Sequence, residues 1–253
     1  MIEIRALVDY CDELLDARAL RDFTPNGLQV EGRPEVRRIM SGVTASQPLL
    51  EAAADWGADA LLVHHGWFWK NEPAVLTGMK GRRVRTALAA GFSLVAYHLP
   101  LDVHARYGNN AELGRLLGIS VTGQRDAGGV PGLLWHGRLE QPLGSAAFGE
   151  RIESVLARAP MHVGPAGDGA IETVAWCTGA GQDFIDDAAA LGVDAFVSGE
   201  VSERTTHAAR EQGIHYYAAG HHATERYGVL ALAEHLAERH DLAHRFVDID
   251  NPA

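Results

Sequence analysis

The chain has 253 residues, 47% of them hydrophobic and 22% charged, with a formal net charge of −11. That length can bury one large core or two modest ones, and the acidic balance disfavours broad, sequence-independent nucleic-acid binding, which works by neutralising phosphates. No apolar run approaches the roughly 20 residues that span a bilayer, Met1–Arg5 lacks the basic-then-apolar layout of a signal peptide, and the two cysteines, Cys11 and Cys177, stand isolated. The expectation is a cytoplasmic protein without disulfides or a membrane span.

Strand-like and helix-like segments alternate along the chain, the pattern of an α/β protein. From Gly42 to Val63 the sequence reads as strand end, turn, amphipathic helix, glycine stop and buried strand. Gly57 falls where a helix C-cap needs left-handed backbone. His64 and His65 follow directly on the apolar run Ala60–Val63. Side chains alternate along a strand, so both imidazoles serve one site only where the strand ends and the backbone turns. Open α/β sheets place their ligand crevices at that end.

Next, Lys80, Arg82, Arg83 and Arg85 form a basic cluster, which reads as the solvated start of a helix, with phosphate contact as the alternative. Arg85–Gly91 then leads into the strand Phe92–His98, followed by Leu99-Pro100-Leu101-Asp102. The stretch Asp126–Gly132, rich in Gly and Pro, is the predicted linker. Beyond it, Cys177–Ser198 aligns with Gly42–Val63 without a gap: Gln182 falls on Gln47, Gly192 on Gly57 and Asp194 on Asp59. Thr206–His221 continues the match to Arg85–His98. Helix–glycine–strand units can look alike by composition alone. Read as a duplication, the match predicts two related α/β lobes, residues 1–125 and 126–253, with a metal site in the cleft between them. It sets His64 and His65 opposite Gly199 and Glu200, and brings His98 within one position of His221. The run from Ala223 to Leu236 looks helical, so His221 and Glu225 project from one face at its start. The tail, His244–Asp250, reads as a final strand free to pack on the first lobe.

Imidazole and carboxylate ligands suit zinc, manganese or iron, and mixed His/Asp/Glu sets suit hydrolytic two-metal sites. Each element also has a plainer reading. His64 and His65 could be one core and one surface histidine, Asp102 a helix-start residue, and His221 with Glu225 a surface pair. Their joint occurrence at strand ends favours a metal centre.

Three segments carry a resemblance: His64-His65-Gly66-Trp67-Phe68-Trp69-Lys70, His98-Leu99-Pro100-Leu101-Asp102 and Gly220-His221-His222-Ala223-Thr224-Glu225. With Asn26–Val30 and Gly108-Asn109-Asn110, the chain resembles the Nif-three-like family over essentially its whole length. These are dinuclear-metal hexameric proteins, often labelled GTP cyclohydrolase type 2 homologues. The resemblance implies the ligand set His64, His65, Asp102, His221 and Glu225, with Asp102 and Glu225 bridging two divalent ions, and a ring-shaped homohexamer. Zinc, iron, manganese and nickel all satisfy such ligands.

Around that set, His98 and Glu200 are the candidates for proton transfer or substrate orientation, and Trp67 and Lys70 for substrate binding. His104, His207 and His222 are weaker neighbours. The expected function is a metal-dependent hydrolase acting on a small molecule, with GTP ring opening at purine C8 suggested by the family label. The alternatives are a non-catalytic metal-binding ring and a nucleic-acid-associated protein. No P-loop-type phosphate motif is present.

Overall fold

The computed structural model describes residues 1–253. Its elements are β1 (Ile2–Glu3), α1 (Ile4–Leu14), β2 (Gly27–Val30), β3 (Glu35–Val36), β4 (Arg38–Thr44), α2 (Gln47–Trp56), β5 (Ala60–His65), α3 (Gly78–Ala90), β6 (Ser93–Ala96), α4 (Leu99–Val103) and α5 (Asn109–Leu117). They continue with β7 (Ile119–Ala127), β8 (Val130–Gly144), α6 (Ser145–Leu156), β9 (Met161–Val163), β10 (Ala170–Cys177), α7 (Ile185–Ala190), β11 (Ala195–Ser198), α8 (Glu203–Gln212), β12 (His215–Ala218), α9 (His221–His240) and β13 (Ala243–Phe246). The chain forms two compact units: residues 1–108 with 228–250, and residues 109–227 with 251–253. No helix is long and apolar enough to cross a membrane.

In the first unit, a five-stranded sheet runs in the order β13-β4-β5-β6-β2. β13, β4, β5 and β6 are parallel, and β2 closes one edge antiparallel. Alternate strand residues feed two cores, one on each face of the sheet. Ile39, Leu62 and Val95 pack with Leu7 and Cys11 of α1 and Val229, Leu232 and Leu236 of α9. Met40, Leu61, Val63 and Leu94 pack with Leu49, Leu50 and Ala53 of α2 and Val84 and Ala87 of α3.

In the second unit, a six-stranded sheet runs β7-β8-β10-β11-β12-β9. Its β10, β11 and β12 are parallel, while β8 and β9 join antiparallel. Trp176, Val174 and Val197 of the sheet pack with Phe148, Ile152 and Leu156 of α6 and Leu113 and Leu117 of α5.

The two units share one local design. Gly57 and Gly192 both have left-handed backbone at a helix end (φ 69° and 71°), as do Gly91 and Gly213 (φ 75° and 69°). Asp59 Oδ2 accepts the N–H groups of Arg37 and Arg38 at 2.9 and 3.0 Å. Asp194 Oδ2 accepts those of Glu172 and Thr173 at 3.0 and 2.8 Å.

The stretch Asp126–Gly132 is a hairpin and not a linker. Ala127 pairs with Val130, and Gly128 and Gly129 both have positive φ (58° and 76°), as a two-residue type I′ turn requires. The division therefore falls at Gly108/Asn109, and the chain returns to the first unit through α9 and β13.

Candidate metal centre

β5 delivers His64 and His65 at its C-terminal end. The turn after them is tight: a Cβ at Gly66 would sit 2.2 Å from Gln29 Oε1 and 2.6 Å from the Ala96 Cβ. The His64 and His65 rings lie 4.5 Å apart. His64 is fully buried (0% exposed), and its Nδ1 lies 2.9 Å from the Tyr97 carbonyl oxygen. A carbonyl only accepts, so the proton sits on Nδ1 and the Nε2 lone pair faces outward from that bond. That Nε2 lies 3.6 Å from Asp102 Oδ1. His65 Nδ1 lies 3.2 Å from the Thr44 hydroxyl.

Asp102 is 5% exposed on the short helix α4, which Pro100 helps to start. His98 stands at the N-cap of that helix. Its ring is 5.1 Å from His64 and 5.8 Å from His65. The ring nitrogens that these three histidines offer all lie within 4.8 Å of one another, so they form a group able to hold a cation.

Asp22, absent from the sequence reading, fixes His98. Its Oδ1 accepts His98 Nδ1–H at 2.7 Å and Phe23 N–H at 2.6 Å, and its Oδ2 accepts Leu99 N–H and the Asn26 amide, each at 2.9 Å. Burial alone would raise the Asp22 pKa, but His98, Asn26 and the Phe23 amide together hold it below the usual carboxylate range. Asn26 Oδ1 also accepts the His98 backbone N–H at 2.7 Å. The only sequence signal was Asn26, within the Asn26–Val30 stretch.

The aromatic assignment changes. Trp67 is 3% exposed in the core and donates its indole N–H to the Ala45 carbonyl, so its ring is engaged in packing. Trp69 is the tryptophan beside the histidines, with its ring 5.0 Å from His98 and 5.9 Å from His65. Lys70 is exposed, while Lys80 is spent on Glu72, at 3.0 Å.

In the second unit, His221 opens α9 and Glu225 follows one turn later. His221 Nε2 lies 3.2 Å from Glu225 Oε2, and Glu225 is 3% exposed. Glu200, just beyond β11, accepts the His221 Nδ1–H at 2.7 Å. Burial disfavours a charged His221, but the bonds to Glu225 and Glu200 outweigh it and push its pKa up to about 9. The same two carboxylates surround His221 with negative charge, which also attracts a cation. Glu200 is thus an orienting partner of His221, a carboxylate–imidazole pair of the kind that sets ligand geometry. His207 does not reach inward: it is exposed on α8 and paired with Glu203. His104 accepts the Tyr107 N–H, and His222 is buried near the C-terminus, with its N–H on the Ala253 carbonyl.

The donor chemistry fits divalent transition metals: imidazoles with Nδ1 anchored, together with buried carboxylates. Comparison with known families decides the lineage: the model for Duf34/NIF3 (NGG1p interacting factor 3) matches residues 2–252. This chain belongs to the Duf34/NIF3 family. Among relatives, a "GTP cyclohydrolase 1 type 2 homolog" of Allochromatium vinosum is 59% identical, covering 100% of this chain and 98% of that protein. One of the same name from Vibrio cholerae is 55% identical, over 99% and 98%. Among solved structures, the Duf34/NIF3 chain resembles protein ybgI, of unknown function, at a TM-score of 0.96 and 51% identity over 100% of both chains. It also resembles the Thermus thermophilus protein TTHA1606, at 0.90 and 32% over 100% of both.

Proposed function

We propose that this Duf34/NIF3 chain is a metal-dependent hydrolase whose His64, His65, Asp102, His221 and Glu225 serve one centre for two divalent cations. The observation that carries the reading is the shared anchoring of His64 and His221. Each donates Nδ1–H to a fixed acceptor and presents Nε2 beside a buried carboxylate. Such pre-orientation costs buried polar groups and serves ligation better than packing.

Bound cations would acidify water and polarise an electrophilic carbon or phosphorus of the substrate. The chain's own residues do the rest. Asp22 accepts the His98 Nδ1–H and so holds the ring with Nε2 turned away from that bond, where it would face a substrate or water. Glu200 keeps His221 in register. Trp69 borders His65 and His98 and offers a π-face or edge to a planar group.

The relatives' name makes GTP ring opening at C8 the first reaction to test. The sequence resemblance extends the proposal to a homohexamer acting in the cytoplasm on a small molecule. The test is turnover by the full chain, loaded with Mn²⁺ or Zn²⁺, on GTP and on panels of phosphoesters and amides, beside metal-free protein and His64→Ala. Metal-dependent turnover of one class, lost in the variant, is expected. A loaded protein inert toward every class would contradict a hydrolase and leave a metal-binding scaffold.

A further inference from the structure

Gly179 lies two residues beyond β10, in Thr178-Gly179-Ala180-Gly181, with φ at +63°. A Cβ built there would stand 2.1 Å from Glu225 Oε1 and 3.1 Å from His221 Nε2. The loop cannot back away, because both of its peptide groups are tied. Gly179 N–H donates to the buried Thr224 hydroxyl at 3.0 Å, and its carbonyl accepts Gly199 N–H at 2.9 Å and the Ser198 hydroxyl at 3.2 Å. The carboxylate itself must therefore move if any side chain occupies position 179. Two other positive-φ glycines of this unit, Gly192 and Gly213, make a different demand. Cβ atoms at Gly192 (φ +71°) and Gly213 (φ +69°) would meet nothing within 4 Å, so backbone conformation alone calls for glycine there.

We propose that Gly179 is a positioning residue of the metal centre: its bare Cα is the seat of the Glu225 carboxylate. The inference rests on the metal-centre reading above and assigns to the loop after β10 a role in ligation. Because the atom that must shift is a terminal side-chain oxygen and not backbone, Gly179→Ala should fold. The methyl group acts on the ligand oxygen and not on the core.

The test compares Co²⁺ affinity, by titration of the d–d absorption on full-length protein, for the parent, Gly179→Ala and Gly213→Ala. Both variants carry an alanine at positive φ, but only the first displaces Glu225. Gly179→Ala should bind at least about tenfold more weakly, the scale expected when a ligand's supporting group is lost. Gly213→Ala should stay within about twofold of the parent, since both its site and its ligands are untouched. Equal affinities in Gly179→Ala and the parent, or equal losses in both variants, would overturn the proposal. If Gly179→Ala fails to fold, adding Glu225→Ala makes room for the methyl and should restore folding; failure in both backgrounds also overturns it. A parent that binds no Co²⁺ would reject the metal centre itself, a result distinct from a parent that binds and a Gly179→Ala that binds equally well.

Discussion

The Asp22 carboxylate and the His98 ring, 76 residues apart in the chain, meet at 2.7 Å, and the same carboxylate accepts the N–H of Leu99 at the start of the helix bearing Asp102. One buried group thus fixes both a ring tautomer and the entry of α4. Asp22→Asn keeps the shape but turns an amide donor toward one of those donors. We expect a loss of about 1–3 kcal/mol in unfolding free energy, the scale for a buried donor left unsatisfied. Metal affinity should also fall by roughly 10–100-fold. Denaturant unfolding and metal titration check the two effects, and a variant equal to the parent in both would contradict this role.

Glu200 and His221 allow a sharper separation of roles. If Glu200 orients His221, then Glu200→Gln weakens metal binding by roughly 10–100-fold, and excess metal restores turnover. A general base behaves otherwise: metal affinity would hold while turnover of the fully loaded protein collapsed. Titration calorimetry paired with turnover at saturating metal distinguishes the two.

Trp67 and Trp69 should divide stability from ligand contact. Trp67→Ala removes a core ring and is expected to cost about 3–5 kcal/mol. Trp69→Ala, at a half-buried ring beside the histidines, should cost far less. The reverse order in thermal or denaturant unfolding would show that the tryptophans had been assigned the wrong way round.

Asp194 gives the fold a measurable pH dependence. Burial would raise its pKa, but the Thr173 N–H and hydroxyl and the Glu172 N–H outweigh that and hold it below the usual value. A carboxylate with a depressed folded pKa contributes stability that is fully present above its unfolded pKa, about 3.9. That contribution is lost as pH falls through the lower folded value. The stability difference between the parent and Asp194→Asn should therefore be flat near neutrality and shrink below about pH 4. A difference independent of pH across that window would contradict the assignment.

What could be read from the sequence follows from how local each feature is. The alternation of helix and strand, the glycine stops and the pairing of Asp59 with Asp194 rest on short-range rules of capping and periodicity, and the two aspartates proved to cap equivalent strands. The placement of His64 and His65 at a strand end was equally local. Gly128-Gly129 misled because a type I′ turn and a flexible linker draw on the same residue. The return of α9 and β13 to the first unit, and the reach of Asp22 to His98, are contacts between distant segments that no periodicity encodes. Trp67 and Trp69 sit two positions apart on a tight turn, where strand alternation no longer predicts which ring points inward. Gly179 carried no signal, because its neighbour Glu225 is 46 residues downstream.

The central claim is the metal centre, and its most direct test is metal content per chain of untagged protein, beside the double variant His64→Ala/Glu225→Ala. The account predicts about two divalent ions per parent chain, as a two-metal hydrolytic site requires, and a large loss in the double variant. A folded parent that contains no metal, and takes none up when divalent ions are supplied, would contradict it.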